Sequence, residues 1–383
     1  MHVNVISETN AYLSNSTTRG RTLKLYGVNR RMNDSIKLLA VLVVGIVVGA
    51  GVTIVAVPGL TGGGSAGPTY TITSSGSTTV LPLSEEWASQ IGTDLPQFRF
   101  DPTGGGSGTG QSDAAAGLVD IGASSSYPKE PYRTANPHVA ILPISADGLG
   151  LVVNTAVNAT MKLDCDMAVA IYQRNVTTWG ELETTFNIDV DATGDINVYA
   201  RSDASGTTAT FGKWLETAGD NPNPDANFTW RYGDDESITW APGVNAVEGN
   251  PGVRSAVLSD ANGIGYVGLA FMDDLVKVDL YNPTTGEYVE PTVANVLKTL
   301  PDPITDAGVN LFNSDVTGAY PIARLLFYLI NTEEVQWYTL EFLVWCLTQG
   351  QAFIQDVGYV PIEGTSAQVY AFEVLGTLVP PTA

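Results

Sequence analysis

The stretch INVYARSDASGTTATFGKWL, residues 196–215, reads as a strand (Ile196–Ala200), a loop of small and hydroxylated residues (Arg201–Thr207), and a helix with Phe211, Trp214 and Leu215 at helical spacing. In such a unit the loop N–H groups and the helix N-terminus aim at one point beyond the strand end, where α/β proteins hold anions. Ser205 and Thr207 are capping residue types with hydroxyls to donate, and Gly206 lets backbone approach a ligand closely. Arg201 offers a two-pronged cation that Asp203 is placed to hold. The competing reading of this motif alone is a surface arginine at a strand end with ordinary capping.

The same unit recurs upstream. YTITSSG (Tyr70–Gly76) alternates like a strand and runs through Ser77, Thr78 and Thr79 into the helical LPLSEEWASQI. FRFDP is a second strand, GGGSGTG (Gly104–Gly110) a glycine loop, and QSDAAAGL a short helix leading into VDIGASS. The glycine loop comes near a phosphate-binding nucleotide loop, with Gly105 and Gly110 suitably spaced, but Gln111 stands where that motif needs its lysine. An anion nest of Ser107 and backbone N–H groups is preferred over a second flexible linker. Alternating strands and helices place the body in the α/β class.

Charge divides the chain. Of 383 residues, 18 are Lys or Arg and 40 are Asp or Glu, a net charge of −22. Residues before 60 hold six basic and two acidic side chains, leaving the remainder at −26. A body this acidic is unsuited to nucleic acid, which needs cationic patches. It also repels anions at long range, but screening within about 8 Å at physiological salt leaves local donors to decide affinity. Leu38–Val57 is a 20-residue run without a charge, long enough to cross about 30 Å of hydrocarbon. Arg30, Arg31 and Lys37 flank its N-terminal side, which orients the N-terminus inward. The expected order is a cytoplasmic tail (1–35), a transmembrane anchor (36–57), a flexible linker (58–68) and a body outside the cytoplasm; a cleaved signal peptide is the closest rival.

In the body, the residues resemble the phosphate-binding protein of the ABC phosphate importer. Gly76–Ala88 is similar to the first ligand loop and helix of that family, GGGSGTG and GLVDIGASS to its second and third loops, and RSDASGTTATFGKWL to its fourth. The likeness continues in order through stretches read as binding nothing, among them Asn250–Met272 and Gly350–Ile362. It implies a two-lobed type II periplasmic-binding-protein (Venus-flytrap) fold. Lobe 1 would comprise residues 69–144 and 316–383, lobe 2 residues 145–315, with crossovers near Ile144–Gly148 and Asn310–Tyr320. It further implies capture of inorganic phosphate by Thr78, Thr79, Ser107, Ser125, Ser205, Gly206 and Thr207, with Arg201 as charge partner supported by Asp203, and delivery to the permease subunits of an ABC importer. A monomer without cofactor or metal is expected.

One departure stands out. Ser125 and Ser126 occupy positions where relatives carry an Asp, or a Ser followed by Arg. That leaves open another tetrahedral oxyanion of the sulfate, arsenate or molybdate class, with Asp120, Asp147 and Asp203 the candidate carboxylates to compensate. A surface phosphoesterase fits least, because His138 has no nucleophile near it in sequence and no carboxylates show metal-ligand spacing. The resemblance puts Cys165 and Cys346 in different lobes, where a bridge would oppose closure, so both are expected as thiols.

Overall fold

A computed structural model of the chain describes residues 69–157, 160–190, 192–219 and 228–378. The tail, anchor and linker expected over 1–68 lie outside the described residues; among these, no helix is long and apolar enough to cross a membrane.

The described part opens with β1 (Tyr70–Gly76), α1 (Leu81–Asp94), β2 (Phe98–Gly105), α2 (Ser107–Ala115), β3 (Ile121–Ser124), α3 (Glu130–Ala135) and the long β4 (Val139–Val153). It continues through β5 (Lys162–Leu163), α4 (Cys165–Tyr172), α5 (Trp179–Phe186), β6 (Asn197–Arg201), α6 (Gly206–Leu215), β7 (Val244–Val247), α7 (Gly249–Ser259) and β8 (Gly263–Gly268). The remainder holds β9 (Val276–Lys277), β10 (Asp279–Asn282), β11 (Glu287–Val289), α8 (Val293–Leu297), β12 (Ala323–Asn331), α9 (Trp337–Leu347) and α10 (Ser366–Leu375).

Nine strands join in the order β2-β1-β3-β12-β4-β8-β6-β7, with β9 added on β4. β4 ties the two halves together: it pairs antiparallel with β12 up to Gly148 and with β8 from Leu149 to Val153. Its residues from Leu142 to Val153 are buried, and so is all of β12. Apolar runs of this length suit strands covered on both faces. Helices cover them by the spacing of their apolar residues: α1 turns Leu83, Trp87 and Ile91 inward, one per turn, while Ser84 bonds the Tyr328 hydroxyl at 2.7 Å. α6 buries Phe211, Trp214 and Leu215, and Phe211 stacks on Tyr266 with ring centroids 4.5 Å apart.

Two local expectations need correction or completion. The glycine run is not all loop. Gly104 and Gly105 belong to β2, and α2 begins at Ser107, ahead of the expected start at Gln111. The reason is tertiary: a Cβ on Gly110 would sit 2.4 Å from the Ala123 carbonyl, so the glycines let α2 lie directly on β3. Cys165, whose thiol donates to Trp214 O at 3.3 Å, and the buried Cys346 are not bridged to each other.

Candidate functional site

The loops that follow β1, β2 and β3 in one half meet those that follow β6 and β7 in the other, at the carboxyl ends of parallel strands. Arg201 closes β6 and is 4% exposed. Its Nε donates to Asp203 Oδ1 at 2.7 Å, its Nη2 to Asp203 Oδ2 and, at 3.0 Å, to Thr78 Oγ1 across the divide. Burial opposes ionisation of Asp203, but the guanidinium and the Gly249 N–H outweigh it and hold that carboxyl below its usual range. The remaining nitrogen, Nη1, is buried with no hydrogen-bond partner.

Beside the Arg201–Thr78 contact the structure gathers the residues singled out from the sequence. Thr79 Oγ1 lies 2.8 Å from Thr207 Oγ1 of the opposite half. Ser205 caps α6, its Oγ accepting from Thr207 N and Thr208 N at 3.1 and 3.2 Å. Ser107 Oγ accepts from Ser125 N at 3.1 Å and lies 3.3 Å from Ser125 Oγ. A Cβ on Gly206 would fall within 2.7 Å of both serine hydroxyls, so glycine there lets the helix end press against the facing loops. Gly108 N donates to Ala204 O at 3.2 Å, which seals the same seam.

Two further residues belong to the cluster. Arg324, near the start of β12, pairs with Asp147 of β4 through Nε at 3.1 Å and Nη2 at 2.7 Å. The same Nη2 lies 3.3 Å from Thr79 Oγ1 and 3.2 Å from Thr207 Oγ1. Burial pushes the Asp147 carboxyl up and the Arg324 guanidinium down, each opposed by the other's charge. Asn250, in a stretch read as binding nothing, donates from Nδ2 to Thr79 Oγ1 at 2.8 Å and to Thr78 Oγ1 at 3.4 Å. A signal for Arg324 was present: it is the one charge in the apolar run Tyr320–Ile330, as Asp147 is in Val139–Val153, and isolated charges in buried strands need partners.

The carboxylates proposed to replace the missing Asp are otherwise engaged. Asp120 bonds Thr73 N and Oγ1, both at 2.8 Å, and Asp147 and Asp203 hold the two arginines. The acid beside the serine run is instead Glu236, from the segment before β7. Its Oε1 accepts from Ser126 Oγ at 2.8 Å and Gln111 Nε2 at 2.7 Å. Burial raises its pKa against those two bonds. Glu236, Ser126 and Arg324 line one cleft of about 350 Å³ together with Lys129 and Lys213. His138 donates to or accepts nothing in this cluster; its Nε2 sits on Ala115 O at 3.1 Å.

The family model described as a PBP superfamily domain matches residues 62–354, and the chain belongs to that superfamily. It is 26% identical over 360 residues to the phosphate-binding protein PstS of Methanocaldococcus jannaschii, covering 83% of this chain and 90% of that one. It is 25% identical over 306 residues to PstS of Xylella fastidiosa, with 76% and 81% covered. The fold is shared with a phosphate-binding protein from Stenotrophomonas maltophilia (TM-score 0.62, 19% identity, 79% of this chain and 93% of that chain covered). An ABC-type phosphate transport receptor from Vibrio cholerae is also similar in fold (TM-score 0.52, 21% identity, 76% and 99% covered).

Proposed function

We propose that this chain is a non-enzymatic binding protein that captures inorganic phosphate between its two halves and delivers it to an ABC importer, with its body outside the cytoplasm. The observation that carries the reading is the buried Arg201, whose Nη1 has no partner and whose Nη2 meets the hydroxyl of Thr78 beside the clustered Thr79 and Thr207. A buried cationic donor without a partner is costly, and an oxyanion is the ligand that would relieve it. Thr78, Thr79, Ser107, Ser125, Ser205, Gly206 and Thr207 are the proposed ligand groups, with Asp203 behind Arg201. The proposed lobes, 69–144 with 316–383 and 145–315, take support from the partner change of β4 at Gly148 and Leu149. Anchoring through 36–57 and a monomeric state belong to the same proposal.

A second reading, another tetrahedral oxyanion of the sulfate, arsenate or molybdate class, is favoured by one observation: Asp147, Asp203 and Glu236 already accept from protein donors. Calorimetric titration of the full chain in detergent against phosphate, sulfate, arsenate and molybdate separates the two. Phosphate binding tighter than the others supports the first reading, and equal or tighter sulfate binding supports the second. Turnover of a chromogenic phosphomonoester would overturn both.

A further inference from the structure

Asn250 touches none of the proposed ligand N–H groups, yet it sets which way two ligand hydroxyls point. It lies in the first turn of α7, and its Oδ1 accepts from Gly268 N at 3.3 Å, which turns Nδ2 toward the threonines. Thr79 Oγ1, with two lone pairs and one proton, faces three atoms: Asn250 Nδ2, Arg324 Nη2 and Thr207 Oγ1. The first two only donate, Arg324 Nη2 giving one proton to Asp147 and sharing the other between Thr79 and Thr207, so both lone pairs of Thr79 face donors and its proton goes to Thr207 Oγ1. Thr207 Oγ1 then accepts from Thr79 and from Arg324, and its own proton is left for a ligand. Thr78 Oγ1 meets donors alone, namely Arg201 Nη2, Asn250 N and Asn250 Nδ2. Its proton is left over in the same way.

We infer that Asn250 is a positioning residue for oxyanion selectivity: its oriented amide, directly at Thr78 and through Thr79 at Thr207, obliges both to donate, so this corner takes an oxygen that carries no proton. The inference rests on the oxyanion reading above and adds the protonation state of the ligand atom. Two closed ion pairs, Arg201 with Asp203 and Arg324 with Asp147, flank the corner, and both carboxylates already accept from their arginines.

Replacing the amide by a carboxylate reverses the wiring. In Asn250→Asp the oxygen facing the threonines accepts their protons, and Thr207 and Thr78 turn lone pairs toward the ligand. Calorimetry on the full chain in detergent, at about pH 6 where inorganic phosphate carries mostly one charge, should show sulfate affinity falling by about a hundredfold and phosphate affinity falling at least tenfold less than that. Thr207→Val separates this from the added negative charge. If the effect passes through Thr207, the sulfate penalty of Asn250→Asp shrinks at least about tenfold in the valine background. An additive cycle, or equal losses for both anions, overturns the inference while leaving the oxyanion reading intact. Asn250→Ala keeps the test open should the aspartate variant not fold; it should weaken sulfate by about threefold or more and show the same coupling to Thr207→Val, and its absence overturns the inference. Failure of the unmodified chain to bind any oxyanion overturns the oxyanion reading, and this inference with it.

Discussion

Arg201 owes its position to its neighbour two residues on. Asp203 grips two of its nitrogens and leaves the third buried without a partner. Arg201→Ala strands Asp203 as well as removing the cation; losing one partner of a buried pair costs about 3–5 kcal/mol, so phosphate affinity should fall by about a hundredfold or more on the 1.4 kcal/mol per decade scale. Arg201→Lys should recover only part, since one ammonium cannot serve Asp203, Thr78 and an anion in the geometry of the fork. Unchanged affinity in the alanine variant would displace the site from Arg201. Ser125 carries the second expectation. Its hydroxyl can donate to sulfate and phosphate alike, and Glu236 reaches Ser126 rather than Ser125. Ser125→Asp should therefore raise the phosphate-to-sulfate preference by about tenfold or more, from the cost of facing a carboxylate with an anion that has no proton to give. Competitive titration checks it, and strong sulfate exclusion by the unmodified protein would show that another acceptor already serves. The Arg201–Asp203 pair was legible because its members are close in sequence. Arg324 and Asp147 are 177 residues apart, and only the β4–β12 register makes them neighbours.

Elements were legible where periodicity was strong. β1, α1 and α6 fall close to where the pattern puts them, because each presents one apolar face to a sheet. The start of α2 was hidden, since five glycines in the seven residues Gly104–Gly110 carry no helical preference and the helix exists because it can lie flush on β3. α4 supplies a measurable consequence of capping under burial. Asp164 caps it through Oδ1, which accepts from Met167 N at 2.8 Å, while Oδ2 is buried without a partner. Burial pushes this carboxyl up to about 6, against about 3.9 in an unfolded chain. Between those values the folded state holds a proton that the unfolded state has released, so stability falls as pH rises through that window. The two-unit shift corresponds to about 3 kcal/mol at most. Asp164→Asn keeps a competent cap and removes the charge. Urea unfolding at about pH 4.5 and pH 7 should show the loss between the two shrinking by about 2 kcal/mol in the variant; an unchanged difference would mean the carboxyl titrates normally.

At the scale of the molecule, the halves are joined by contacts of unequal worth. Lys129 reaches Asp234 and Asp235 at 2.7 and 2.6 Å on an exposed rim, where ion pairs contribute about 0–1 kcal/mol. Glu236 is different: it is half-buried, and its removal leaves Ser126 Oγ without its acceptor and Gln111 Nε2 with only Ser124 Oγ at 3.3 Å. Glu236→Ala should weaken phosphate binding at least about fivefold, from about 1 kcal/mol or more for stranded donors, while Lys129→Ala should change it by less than about threefold. The reverse ranking in calorimetry would place closure on the rim charges.

β4 has a consequence of another kind. It passes through both halves without a break, bonded to β12 on one stretch and β8 on the next, with its residues from Leu142 to Val153 out of reach of water. Neither half can fray on its own without tearing a strand that the other still holds. Amide hydrogen exchange should accordingly find one slowest-exchanging block that spans the seam, with Ala146 and Val152 releasing their protons through the same global opening. Two separate melting steps, or faster exchange on one side of Gly148, would show the halves to be independent folding units that share a strand only in passing.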